Sequence, residues 1–574
     1  MQINRPLLQK INTGFEILEH ISFIITSLGV VLLISFLTTK TELLIINIID
    51  NIFIFVIVTK ILYVLFQFID TRNFHHTVNN LVTALLFLIL YVWAKYTLSV
   101  KAPSTLQPVF EQFSIILRMV IYTIYLITNK DKILTYIKRV KLNPAQSFSL
   151  GFIFLIFLGV WLLSLPYATV NPLSFLDRLF TSTSAVAVTG LIVVDTGAEF
   201  TLFGKIVLLF LIQTGGLGIM SFTTFLIILS GKKMGFYNRH TSMEIFNQQN
   251  FQTVKKLLFL MIYVTFIIEA IGALLIFLSV PKMPFDERLL FSIFHSISAF
   301  CNAGFSTLPD SLSGYYSSFN INMIIASLII IGGIGFPVIL NLKDKFLHGK
   351  KLTLHSKVVL MTSIFLIAGG MAAFYSQEHN GIMKAFSLPD KIMTSYFQSV
   401  TTRTAGFNTV DIGALQPITY VWIVFLMFIG ASPGSTGGGL KTTTFFILTL
   451  MIYLFIKRRS EASVFRQKIG ASILLKAGAL FFIRILLIFF GTLTLLYMED
   501  IDFIPALFES VSAFSTVGLS TGITASLSSV SKVVITLLMF IGRIGPLNVL
   551  ASMSGVRQKP NRSLEYSEGY IILE

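Results

Sequence analysis

A single cysteine, Cys301, is all that the chain carries, so an intrachain disulfide and a Cys-based metal site are excluded. Charge is scarce as well: 12% of residues are Asp, Glu, Lys or Arg, against about 25% in an ordinary soluble domain. No H-E-x-x-H and no clustered pair of catalytic groups occurs, which argues against an enzyme and against a tightly bound organic cofactor. The nearest approach to a phosphate loop is "GASPGSTGGGLKTTT" at 430–444. The pattern G-x-x-x-x-G-K-[ST] requires lysine directly after its second glycine; Leu440 stands there instead, and Lys441 comes one place late. A cleavable leader is not expected either. The first apolar run, about 15–37, is too long for a signal-peptide core and lacks a small-residue cleavage site.

What the chain has is apolar length. Hydrophobic residues make up 54% of it, and runs long enough to cross a bilayer recur from end to end, which marks a multi-pass membrane protein. The net charge of +16 sits in short loops at 130–141, 231–240, 343–351 and 457–468. The positive-inside rule puts such loops in the cytoplasm against anionic lipid, and nucleic-acid binding is not expected.

Two domains are expected. Residues 1–140 hold four spans, at about 15–37, 43–69, 78–99 and 107–128. Four spans before a pore suggest a voltage sensor, but a sensor needs several arginines at every third position of its fourth helix, and this one offers only Arg118. The module is read as degenerate and sensor-like, or as packing. Residues 141–574 form the second domain, with four repeats at about 147–230, 253–342, 354–456 and 470–553. Each repeat contains a Ser/Thr-rich segment ending in a glycine and a bulky apolar residue: "FLDRLFTSTSAVAVTGLIVVDTG", "LLFSIFHSISAFCNAGFSTLPD", "KIMTSYFQSVTTRTAGFNTVDIG" and "IPALFESVSAFSTVGLSTGIT". Their glycines, Gly190, Gly304, Gly406 and Gly518, are 114, 102 and 112 residues apart, the regularity of an internal repeat.

Span, half-span, span is the plan of each unit. A helix of about a dozen residues cannot cross about 30 Å of hydrocarbon, so the half-span enters and leaves on one side; the basic loops place that side outside. Irregular backbone at such depth survives only inside protein or beside a watery cavity. The expected fold is therefore an all-α membrane protein: four helix–pore-loop–helix units around one ion pore, preceded by four further transmembrane helices.

A dehydrated cation needs oxygen ligands, and backbone carbonyls provide them without a trapping charge. A glycine in each loop permits the dihedrals and the close approach. The expected ion-binding filter is Val188, Thr189, Gly190 and Leu191; Asn302, Ala303, Gly304 and Phe305; Thr404, Ala405, Gly406 and Phe407; and Thr516, Val517, Gly518 and Leu519. The half-helices aim their negative ends at the same point.

With "TSTSAVAVTGL", "SAFCNAGFSTL", "TTRTAGFNTVDIG" and "SAFSTVGLST" in this order, and "GASPGSTGGGLKTTT" between the last two, the chain resembles the Trk/Ktr/HKT superfamily of potassium transporters from about Ser147 onward, most of all the bacterial Ktr/Trk membrane subunits. The resemblance implies K+ as the transported ion at the filter carbonyls, a homodimer, a cytosolic nucleotide-binding regulatory ring of the RCK type, and a place in the bacterial inner membrane. In plant relatives a serine at the first filter glycine accompanies sodium transport; all four positions are glycine here. Na+- or H+-coupled symport on the same fold is the alternative. The first four spans depart from typical bacterial members, which begin near what is here residue 140.

The run 419–456 is 38 residues long, and Pro433 with five glycines breaks it near its middle, as transporters break helices at mid-membrane. The resemblance assigns a gate to Gly434, Ser435, Thr436, Gly437, Gly438 and Gly439, an intramembrane loop that blocks the pore until the partner ring moves it. Lys441 either opposes a cation electrostatically or snorkels to the inner surface. Arg543, deep in the last span, is a functional candidate by its cost alone, matches the family's arginine in that helix, and is expected to touch the loop and act as a positive barrier. Glu269 is expected to pair with a neighbouring helix, and Cys301 to fill space beside the second loop. Asp177, Asp286 and Asp502 are expected to cap half-helices or to draw cations to the outer mouth.

Overall fold

The computed structural model describes residues 144–218, 251–459 and 461–553, and the four spans expected within 1–140 lie outside the described residues. Helix α1 (Pro144–Leu163) is followed by α2 (Phe175–Ala187), the single turn α3 (Thr196–Glu199) and α4 (Leu202–Leu217). Next come α5 (Phe251–Ser279), α6 (Phe285–Phe300), α7 (Phe319–Ile334) and α8 (Phe336–His348), then α9 (Leu354–Glu378), α10 (Leu388–Thr401), α11 (Pro417–Phe428) and α12 (Thr442–Ile456). A small hairpin, β1 (Ser463–Val464) and β2 (Gln467–Lys468), precedes α13 (Ala471–Met498), α14 (Phe503–Ser515), α15 (Ser529–Ile544) and α16 (Pro546–Met553).

Among the described residues four helices are long and apolar enough to cross a membrane: Ala145–Leu163, Leu258–Ser279, Leu354–Glu378 and Ala471–Met498. Each is followed by a short helix, α2, α6, α10 or α14, of 13 to 16 residues. At 1.5 Å per residue such a helix spans roughly 20–24 Å, less than the hydrocarbon core needs.

The two helix types divide the environment. Phe266, Ile364, Phe365, Phe482 and Phe490 on the long helices are exposed, the apolar surface that lipid covers. The short helices carry the polar side chains, and these are buried: Ser182, Ser184, Ser296, Ser298, Ser399, Thr401, Ser510 and Ser512. Three of their hydroxyls tie the short helices to the long ones, as small and polar residues do between helices in lipid. Ser182 Oγ donates to the Ile156 carbonyl at 2.7 Å, Ser296 Oγ to that of Glu269 at 2.6 Å, and Ser399 Oγ to that of Ile367 at 2.7 Å. In each case a glycine one turn on, Gly159, Gly272 or Gly370, leaves room for the hydroxyl where a Cβ would collide with it.

The closing helices are broken. α4 ends at Gly218, α7 at Gly335 and α15 at Gly545, with φ of 82°, 99° and 90°. After the break α8 turns by 99° from α7, and α16 by 94° from α15. The run from α11 to α12 is instead interrupted by irregular backbone over 429–441. That segment folds back on itself, with Leu440 N donating to Phe428 O at 3.1 Å and Ala431 N to Gly438 O at 3.2 Å.

Candidate functional site

At the C-terminal end of each short helix the chain leaves the helical region through a residue of positive φ that is not glycine: Val188 (55°), Asn302 (59°), Thr404 (73°) and Thr516 (52°). Two residues later come Gly190, Gly304, Gly406 and Gly518, with φ of 93°, 69°, 79° and 94°. Left-handed backbone costs a β-branched residue of order 1–3 kcal/mol and persists only where surroundings enforce it. Here the enforcement is visible. Thr189, Ala303 and Val517 each return their N–H to the short helix, on Ser184, Ser298 and Ser512 carbonyls at 2.8 Å, and Ala405 does so on Thr401 at 3.0 Å. The hydroxyls of the same residues grip the glycine or the residue after it. Gly190 N and Gly518 N donate to Ser184 Oγ and Ser512 Oγ at 3.1 Å, while Ser298 Oγ donates to Phe305 O at 2.8 Å and Thr401 Oγ1 to Phe407 O at 2.6 Å. Sequence reasoning passed over these four hydroxyls; their offset of five or six residues before each glycine is the signal that could have found them.

The four glycines meet. A Cβ on Gly190 would strike the Ala303 carbonyl and Gly304; on Gly304, the Ala405 carbonyl and Gly406; on Gly406, the Val517 carbonyl and Gly518; on Gly518, the Thr189 carbonyl and Gly190. The contacts close into a ring in which the carbonyl before each glycine faces the loop beside it. Every other residue of the sixteen is buried to 1% exposure or less, so the side chains are packed away from the ring and the backbone is left to line it. On one side the glycines open into a cavity of about 580 Å³.

The opposite side is occupied by the glycine-rich segment. Gly437 lies against the Thr404 hydroxyl and Gly438 against that of Thr516, so closely that neither could carry a Cβ. Thr436 Oγ1 donates to Phe300 O at 3.2 Å. The break after α7 anchors the segment: Ser432 N donates to Gly333 O at 3.0 Å, Thr436 N to Gly332 O at 3.3 Å, and Phe336 N to Gly434 O at 3.0 Å. Arg543 donates from one guanidinium nitrogen to the Thr436 carbonyl and from the other to that of Gly215 on α4. Lys441 does not reach for an aqueous surface; its ammonium turns back onto the Gly437 and Gly438 carbonyls at 2.8 and 3.4 Å. A further cation, Arg484 on α13, is buried nearby, over the Phe514 ring at 5.7 Å and close enough to act on the charge of Lys441. The signal that marked Arg543, a charge deep in an apolar run, could have found it too.

Other expectations fare unevenly. Glu269 accepts from Gln213 on α4 at 3.2 Å, a pairing between neighbouring helices. Cys301 is fully buried against Gly216. Asp502 holds the N-cap position of α14 without a side-chain capping bond, Asp286 lies inside the first turn of α6, and Asp177, in the first turn of α2, pairs with Lys532 of α15 at 2.8 Å.

Comparison with known proteins agrees with this geometry. The model of the TrkH family, described as a cation transport protein, matches residues 160–559. The Ktr system potassium uptake protein B of Bacillus subtilis is 39% identical over 77% of this chain and 98% of its own length. The potassium/sodium uptake protein NtpJ of Enterococcus hirae is 36% identical over 76% of this chain and 98% of its own. Among solved structures, the potassium transporter TrkH from Vibrio parahaemolyticus shares the fold with a TM-score of 0.59 and 20% identity, covering 82% of this chain and 97% of that one.

Proposed function

Because the chain belongs to the TrkH cation-transport family, we propose that it takes up potassium through the ring of four loops and that the glycine-rich segment is its gate. It is a multi-pass membrane transporter and not an enzyme. The observation that supports the pathway is the closed ring of backbone at Gly190, Gly304, Gly406 and Gly518, with an open cavity on one side and the glycine-rich segment on the other. Carbonyls arranged this way replace the hydration shell of a small cation without binding it too strongly to leave. The filter is assigned to residues 188–191, 302–305, 404–407 and 516–519, with K+ as cargo at their carbonyls.

The gate is assigned to residues 434–439 with Lys441 and Arg543. Two cations fixed on the segment's carbonyls add an electrostatic barrier to a steric one, and charge in a low-dielectric setting is costly for a passing cation. The cavity faces outward, since the basic segments 343–351 and 457–468 follow the opposite ends of the closing helices. The working assembly is a homodimer in the bacterial inner membrane with a cytosolic nucleotide-binding ring beneath it, and residues 1–140 form a packing or degenerate sensor-like module. Sodium enters as the second reading because one relative is named for potassium and sodium together.

Rubidium uptake by a bacterium deprived of its own potassium uptake systems tests the proposal. Expression of the full chain should confer saturable uptake driven by the membrane potential, with the proton and sodium gradients each clamped to zero. Uptake that vanishes when the sodium or proton gradient is removed would replace the channel reading by coupled symport, and no uptake under any condition would overturn the proposal.

A further inference from the structure

We propose that a second cation site, built from side-chain oxygens, lies in the cavity directly beyond the glycine ring; this rests on the reading that ions pass through that ring. Two residues after the four glycines stand Ile192, Ser306, Asn408 and Ser520, and all four line the 580 Å³ cavity. Three are polar, and in each a hydrogen-bond donor is held inside the protein, so that an oxygen lone pair remains for the cavity.

Ser306 is oriented by a buried histidine. His295 Nδ1 lies 2.9 Å from the Phe291 carbonyl, which can only accept, so in the neutral ring Nδ1 carries the proton and Nε2 is left as an acceptor. Nε2 is 3.0 Å from Ser306 Oγ, and the hydroxyl therefore donates backward to it. The other acceptor in reach, Ser311 O at 3.4 Å, also belongs to the protein. Leu308 N takes one lone pair of Ser306 at 3.0 Å, and the other is free.

Ser520 is oriented by a buried carboxyl. Glu509, fully buried, lies with Oε1 2.5 Å from Ser520 Oγ and 3.1 Å from Thr521 N, and with Oε2 3.0 Å from Thr524 Oγ1. Ser520 Oγ and Thr524 Oγ1 are themselves 2.9 Å apart. Thr524 donates to Glu509, so the Ser520 proton is spent on Glu509 or on Thr524 and no hydroxyl takes a Ser520 lone pair. Gly522 N takes one lone pair at 2.9 Å and leaves the other. Asn408 repeats the logic with an amide: Nδ2 donates to the Val410 carbonyl at 3.0 Å, and Oδ1 remains as the acceptor.

His295 and Glu509 each stand nine residues before their glycine, at matching places on α6 and α14. Following the ring order, Gly304 and Gly518 are diagonal partners, so the two oriented serines face one another across the axis. Asp310 and Asp411 also line the cavity and concentrate cations there. The ligand is a partly hydrated monovalent alkali cation, held by three side-chain oxygens and its own water before it enters the carbonyl ring. Ile192, on the fourth side, offers nothing.

The test is rubidium uptake against concentration in the same cells, normalised to the amount of full-length protein in the membrane. Replacing both hydroxyls (S306A with S520A) should raise KM by about fivefold, the scale of lost hydrogen-bond-strength contacts, and by more than Vmax falls. The threonine pair S306T and S520T, which keeps the hydroxyls, should bring KM back toward the parent. E509A should raise KM as S520A does, and adding it to S520A should raise KM no further, because both act through one hydroxyl. An alanine pair with the parent's KM, or a threonine pair as impaired as the alanine pair, would overturn the site and leave the transport reading intact. Should the alanine pair not reach the membrane, the single variants decide by the same criterion. A parent without uptake would take both readings down together.

Discussion

Among the described residues two closing helices break at a single glycine, and one breaks over thirteen residues. Gly335 joins α7 to α8 and Gly545 joins α15 to α16 with φ of 99° and 90° and no inserted chain, whereas 429–441 separates α11 from α12. The break comes at a corresponding depth in each. Gly215, Gly332 and Gly542, each three residues before its break, approach the carbonyls of Val186, Phe300 and Phe514 at the ends of the short helices too closely for any Cβ. Gly430 meets the glycine-rich segment itself instead, at the Gly438 carbonyl. The extra chain that one break carries is long enough to lie under Thr404 and Thr516, and it is this chain that the proposed gating makes the obstruction.

The largest effect should come from erasing the difference. Deleting 435–438 makes this break resemble those at Gly335 and Gly545, and rubidium flux without any regulatory partner should rise by about tenfold, a barrier change of about 1.4 kcal/mol. Flux that stays at the parent level would show that the segment is not the obstruction. A smaller rise is expected from R543A, which removes the clasp on Thr436 and Gly215 while keeping the segment; severalfold faster uptake at equal abundance is the expected result, and an unchanged rate would remove Arg543 from the gate. The smallest effect on transport belongs to a single-glycine break. G545A forces a side chain into positive φ at a cost of about 1–3 kcal/mol, so thermal unfolding in detergent should occur at lower temperature while uptake per molecule stays close to the parent's.

Much of this was legible in the chain. The glycine spacing located all four loops, and Pro433 with its glycines located the long break, because proline and clustered glycine are strong punctuation in an apolar run. The single-glycine helix ends were not legible. An isolated glycine in a helix costs only about 1 kcal/mol and is common between packed helices, so Gly218, Gly335 and Gly545 look like their neighbours Gly215, Gly332 and Gly542. The left-handed residues were hidden for the opposite reason. Val188, Thr404 and Thr516 are β-branched, the type that intrinsic preference excludes from positive φ, and only the tertiary grip of Ser184, Thr401 and Ser512 overrides it. The partner of Asp177 was equally out of reach, since Lys532 lies 355 residues away.

Arg543 reaches from the last closing helix to a carbonyl of the first and to a carbonyl of the glycine-rich segment, so one side chain fastens these three elements at once. For Thr436 to depart, that guanidinium must surrender half of its acceptors in a setting where a bare charge is intolerable. Water has to arrive as the carbonyl leaves. On the proposed gating, unlatching the segment and wetting the passage beneath the ring are thus a single event.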